Sequence, residues 1–202
     1  MRSPISCNAA AAVMGGLSGL IAMPASAHAS TGLSGGFASG FVHPLSGFDH
    51  LLAMVSVGLW GAFLGRPLIY SLPVIFPLMM VCGAAIGMLG FPVPSVEAGV
   101  AVSVLVLGGC IAMSLEAPVW VASLIVATFA VFHGYAHGRE LPSAADPIGY
   151  SVGFVVATGL LHVLGIGMGL VKGLPGGILT LRSIGAAIGC AGVWFLCKAL
   201  GP

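Results

Sequence analysis

From Leu45 to Leu200 the chain is a succession of apolar stretches, each about twenty residues long, enough for a helix to cross a bilayer. Short breaks such as Gly65-Arg66-Pro67 and Phe91-Pro92-Val93-Pro94 separate them. Only six basic and five acidic residues occur in 202, or 5% charged, against about 25% in a soluble domain. Too few charges remain to build a water-facing surface, so lipid must cover most of it. The runs are long and unbroken rather than short and alternating, which selects helices over a barrel. The expected fold class is all-α, a polytopic transmembrane helix bundle with about six spans after an N-terminal signal peptide.

Residues 1–27 have the three parts of a signal peptide. Arg2 makes the positive end, Ala9 to Ile21 the apolar stretch, and Ala25-Ser26-Ala27 the small-residue cleavage site. The other reading, an uncleaved first span, is weakened by Gly15, Gly16 and Gly19. Residues 28–42 then form a Gly/Ser/Ala-rich lead-in on the outer side. Residues 28–202 make one transmembrane domain, with spans at about Leu45–Leu64, Leu68–Leu89, Glu97–Leu115, Pro118–His137, Pro147–Leu170 and Leu181–Leu200. Pro44 suits the first position of the first helix, and Asp146 suits the cap of the fifth. Pro73 and Pro77 predict a kink or a late start in the second span, and Lys172 to Leu181 a glycine-rich loop. With the mature N-terminus outside, Arg66, Lys172 and Arg182 fall on cytoplasmic loops and Arg139 and Lys198 outside, a weak positive-inside bias.

Ionisable groups inside such spans are costly and therefore functional candidates. His43 and His50 are seven residues apart, within about 20° of one another on a continuous helix, with Met54 one turn beyond His50. Asp49 is turned about 100° away. It can bend toward the same site or accept a hydrogen bond from an imidazole N–H and fix its tautomer. In the fourth span His133 and His137 stand at i and i+4, and Glu140 lies within about 60° of the same face. That histidine pair is a common way to hold a divalent metal from one helix. Topology places both clusters at the outer mouth. Imidazole with carboxylate suits Ni, Co, Zn, Cu or Fe, and neutral rings keep desolvation low. The metal-contact residues are thus His43, Asp49, His50, His133, His137 and Glu140, with His162, Met54 and His28 as secondary candidates. Glu97 and Glu116 read as interface residues.

Other classes are excluded or disfavoured. No basic cluster exists for nucleic acid, and Cys82, Cys110, Cys190 and Cys197 lie in apolar segments as small hydrophobes. No P-loop, G-x-S-x-G elbow or H-E-x-x-H motif is present. The chain reads as no enzyme, with no tightly bound cofactor. The alternative is a membrane-embedded zinc hydrolase using the same His/Asp cluster. A haem-binding subunit is a more distant one.

The stretches HPLSGFDHLLAMVSVGLW (His43 to Trp60) and FHGYAHGRELP (Phe132 to Pro142) resemble the two signature motifs of the HupE/UreJ family of bacterial nickel permeases. The resemblance extends to the signal peptide, the number of spans and the length. It implies a multi-pass transporter of the bacterial inner (cytoplasmic) membrane, with a periplasmic N-terminus. Its substrate would be Ni(2+), with Co(2+) possible for some members, and its partners the metal ion and the lipid bilayer. Nickel would pass indirectly to hydrogenase or urease maturation. The chain itself sets no oligomeric state. His43, Asp49 and His50 occupy the first motif's positions, and His133, His137 and Glu140 the second's. Cleavage after Ala27 predicts that N-terminal sequencing of the membrane-purified protein reads from His28; a sequence starting at Met1 overturns the signal-peptide reading.

Overall fold

The computed structural model describes residues 33–140 and 146–201, without the side chains of residues 33–35 and Glu140. The signal peptide, His28 and the Glu140 side chain lie outside the described residues. Seven α-helices occur among them, in the order α1 (Leu33–Ser46), α2 (Phe48–Leu64), α3 (Leu68–Met88), α4 (Val96–Ala112), α5 (Val119–Glu140), α6 (Pro147–Gly169) and α7 (Gly177–Leu200), with a 3-10 turn at Leu170–Gly173. The all-helical expectation holds. Four helical stretches, Leu68–Met88, Val119–Arg139, Pro147–Gly173 and Gly177–Leu200, are long and apolar enough to cross a membrane.

The first predicted span differs most. It is not one helix from Leu45 but two, Gly36–Ser46 and Phe48–Leu64, meeting at 82°. Together they form a fifth candidate span, so the expected irregular lead-in is in part helical. Pro44 stands in the last turn of α1 rather than the first turn of α2, where its missing N–H weakens the helix just before it ends. Gly47 is extended (φ −94°, ψ 106°) and separates the two. Ser46 Oγ donates to the His43 carbonyl at 2.7 Å, which satisfies one of the orphan acceptors at the end of α1. The third predicted span, α4, has 17 residues. At about 1.5 Å per residue it falls short of the usual hydrocarbon thickness. The helix α3 starts at Leu68 and carries Pro73 and Pro77 inside it. The predicted loop after Lys172 is brief, because α7 begins at Gly177.

Packing is centred on α2. Every residue from Ala53 to Phe63 is buried, so this helix is covered on all sides. Its Met54, Leu59 and Trp60 pack in one core with Leu72 and Phe76 of α3 and Leu107 of α4. Around it α3 pairs with α5, α4 with α7, and both α1 and α2 with α6. Apolar contact gives little preference between helix and lipid, so small residues that bring backbones close govern these pairings. A Cβ on Gly58 would press into the His162 carbonyl, and one on Gly165 into that of Val55; Gly134 and Met80 meet likewise between α5 and α3.

The ends of the bundle are chemically distinct. Lys172 Nζ donates to the Phe63 carbonyl and lies 4.8 Å from the Phe63 ring centre, and Arg182 Nε donates to the Ala112 carbonyl at 3.0 Å. Both cations cap helix C-termini, where partial negative charge accumulates. Arg66 follows α2 at that same end. At the opposite end Asp146 caps α6 by accepting from Gly149 N–H at 3.0 Å, as its position before Pro147 predicts.

Gly58→Val forces a branched side chain into the His162 backbone. It should destabilise the protein by about 1–3 kcal/mol, as overpacking does. Gly159 has open space around it. Gly159→Ala should be neutral or slightly stabilising in thermal unfolding in detergent, and equal stability of the two variants would refute this view of the packing.

Candidate metal site

The break between α1 and α2 organises the site. The last turn of α1 carries His43 and the first turn of α2 carries His50. The sequence-based expectation that they share one helix face is therefore incorrect, because the chain turns at Gly47. They still converge. The ring centres of His43 and His50 each lie 4.8 Å from that of His137 on α5, and His50 is 4.9 Å from His133. The 82° bend thus brings the two histidines onto the pair that α5 presents one turn apart.

Hydrogen bonds orient the rings. His50 Nδ1 is 2.8 Å from Asp49 Oδ1, so the carboxylate accepts and Nδ1 carries the proton. Asp49 takes the orienting role open to it in the sequence. Gly47 makes room for this pair: a Cβ there would lie 3.2 Å from both Asp49 Oδ1 and His50 Nδ1. His133 Nδ1 donates to the Phe129 carbonyl one turn earlier, at 2.9 Å. In both rings Nε2 is then the unprotonated nitrogen. Both Nε2 atoms are buried without a hydrogen-bond partner. A buried, oriented lone pair with no donor is costly to keep and is suited to a cation.

Aromatic rings enclose the cluster. Phe154 of α6 lies 4.5 Å from His137, and Tyr150 is 5.7 Å from His43. Deeper in the bundle, Phe76 of α3 is 5.5 Å from His133 and 5.4 Å from His162. Four imidazoles, Phe76 and His162 thus form a line of rings, running from the α1–α2 break toward the middle of α6. His133 is wholly buried and His162 nearly so. The rings meet in pairs rather than around one point: among the described residues, no three His, Cys, Asp or Glu side chains are disposed to hold an ion together.

Charged side chains of both signs lie beside the cluster. A cavity of about 460 Å³ opens among the ends of α2, α4 and α7, lined by Asp49, Glu97, Phe48, Trp194, Phe195 and Lys198. The histidines do not line it, and Asp49, which bonds the His50 ring, stands between this cavity and the rings. Glu97, read from sequence as an interface residue, joins Asp49 here; Glu116 is exposed in the turn before α5. Met54 is buried in the apolar core one turn below His50. Phe76 is the residue that sequence reasoning did not single out, and an aromatic in an apolar run carries no signal that could have found it.

The family model described as HupE / UreJ protein matches residues 16–195. The protein named Protein HupE from Rhizobium leguminosarum bv. viciae is 40% identical over 177 residues, covering 87% of this chain and 93% of that one. No solved structure matches. The match to the family model spans both histidine clusters, the broken first span and all the helices that pack around them, and the chain belongs to the HupE/UreJ family.

Proposed function

We propose that the protein is a secondary permease importing a first-row divalent transition metal across the bacterial cytoplasmic membrane, with its mature N-terminus on the periplasmic side. Nickel is the foremost substrate and cobalt the second. The observation that carries this reading is the pair of buried, oriented Nε2 lone pairs on His50 and His133, set among four imidazoles inside a membrane bundle. Imidazole is a strong ligand for Ni and Co and a poor one for Mg or Ca. Family membership supports the same reading, since HupE/UreJ proteins are linked to nickel and cobalt transport.

In this mechanism the carboxylates of Asp49 and Glu97 draw a hydrated cation into the open cavity. The ion exchanges waters for His50 and its neighbours His43, His137 and His133. Asp49 holds His50 in the tautomer that leaves Nε2 available and offsets part of the positive charge. Glu140 joins the capture site on the strength of the motif, and His28 through the free amine and imidazole that cleavage after Ala27 would leave side by side. Transport requires binding that is strong enough to admit the ion and weak enough to release it. A string of pairwise contacts meets that need better than a closed shell of four ligands, and it favours a carrier over a resident catalytic metal. Metal released inside would supply hydrogenase or urease maturation.

His50→Ala and His133→Ala should each abolish uptake of radioactive nickel by proteoliposomes while the variants still insert in the membrane. Normal uptake by both would remove the site assignment. Asp49→Asn keeps the size of the side chain but weakens its hold on the His50 ring. It should lower metal affinity by about 10–100-fold, as loss of a ligand's supporting partner does, and titration calorimetry of the purified protein with Ni(2+) measures this.

A further inference from the structure

Two polar side chains deeper in α6 stand outside the capture site. Thr158 and His162 are one helical turn apart, on the same face, and only 1% and 2% exposed. Neither Thr158 Oγ1 nor His162 Nε2 has a hydrogen-bond partner. For the threonine this is unusual, because a helical hydroxyl ordinarily bonds a carbonyl three or four residues back. An unmade bond at each of two adjacent buried groups costs stability in an apolar interior. Packing alone would favour valine and leucine at these positions.

His162 packs on α3 at Phe76, with 5.4 Å between ring centres, in the turn that Pro73 and Pro77 bracket. In a regular helix the Pro73 carbonyl would accept from the N–H of residue 77. That residue is Pro77, which has none. The proline pair thus leaves a backbone acceptor on α3 without its helical donor, in the turn that meets the imidazole from α6. The Nε2 of His162 is, like those of His50 and His133, a buried nitrogen without a hydrogen-bond partner.

Space connects the two places. A cleft of about 100 Å³ between α3, α5 and α6 is lined by both His137 and Thr158, together with Pro77, Gly134, Tyr150 and Phe154, and His162 follows one helical turn after Thr158. It has room for about three waters, so an ion within it must exchange most of its hydration for protein donors.

Resting on the permease reading above, we propose that Thr158 Oγ1 and His162 Nε2 form a second, inner station for the transported divalent metal, reached from His137 through this cleft. The first station captures the ion, and the second carries it across the middle of the bundle.

The test compares Thr158→Val, His162→Leu and His162→Cys in the full-length protein, by calorimetric Ni(2+) binding in detergent and by nickel uptake in proteoliposomes. Thr158→Val preserves shape and removes only the hydroxyl, so it remains informative if a substitution at 162 fails to insert. Capture should stay near wild type in all three, while uptake falls about tenfold or more in Thr158→Val and His162→Leu, the scale of a lost metal contact. His162→Cys, which restores a ligand, should retain more uptake than His162→Leu. Wild-type uptake in Thr158→Val and His162→Leu overturns the inner station, as does equal loss in the leucine and cysteine variants, which would mark a packing role. Absence of nickel uptake by the wild-type protein removes the permease reading itself, and is distinct from both.

Discussion

Hydrocarbon offers no hydrogen bonds, so any interruption of a membrane helix must be sheltered by protein. The interruption at Gly47 is the feature around which this bundle is arranged. It lies against α5 and α6, between the two histidines of the first motif, and the helix end before it is tied down by Ser46. A straight helix would present His43 and His50 on one stripe two turns apart. The bend instead lets one histidine approach His137 from α1 and the other from α2. The irregular backbone that lipid forbids is thus admitted where a polar site needs it, as in the broken helices of many transporters.

Close packing is what makes that shelter rigid. Glycine on α2 meets a carbonyl on α6, and glycine on α6 meets a carbonyl on α2; the same exchange joins α3 and α5. With backbones this near, α2 is buried all round and the rings on α5 and α6 have little freedom to drift. Conversely, the cations Lys172 and Arg182 tie the opposite helix ends by capping carbonyls rather than by pairing with carboxylates. The bundle therefore carries acceptors and imidazoles toward one end and positive caps at the other.

Much of this was legible before any coordinates. Apolar runs of membrane length announced the helices, and the His133/His137 spacing announced one face of the site, because both signals depend only on local periodicity. The break at Gly47 was not legible. Pro44 can begin one helix or weaken the end of another, and only contact with α5 and α6 decides between them. The cavity with Asp49 and Glu97 and the ring contacts of Phe76 were hidden for a related reason: they join residues far apart in sequence whose types are ordinary. Pro73 and Pro77 were visible as helix disturbances, but the meeting of the turn between them with His162 depends on another helix.

Under the proposed permease reading, the buried, unpartnered Nε2 atoms of His50, His133 and His162 bear on how long an ion would dwell at each place. Beyond Asp49, the buried polar side chains of the described core are imidazoles and hydroxyls, and none is a carboxylate. Neutral donors satisfy an ion's coordination without cancelling its charge, so a dication there keeps most of its electrostatic penalty in a medium of low dielectric. Residence should be longest beside Asp49, where a carboxylate supports the ring, and shortest in the middle of the bundle. An interior with ligands but no counter-charge passes a metal onward and makes a poor place to store one.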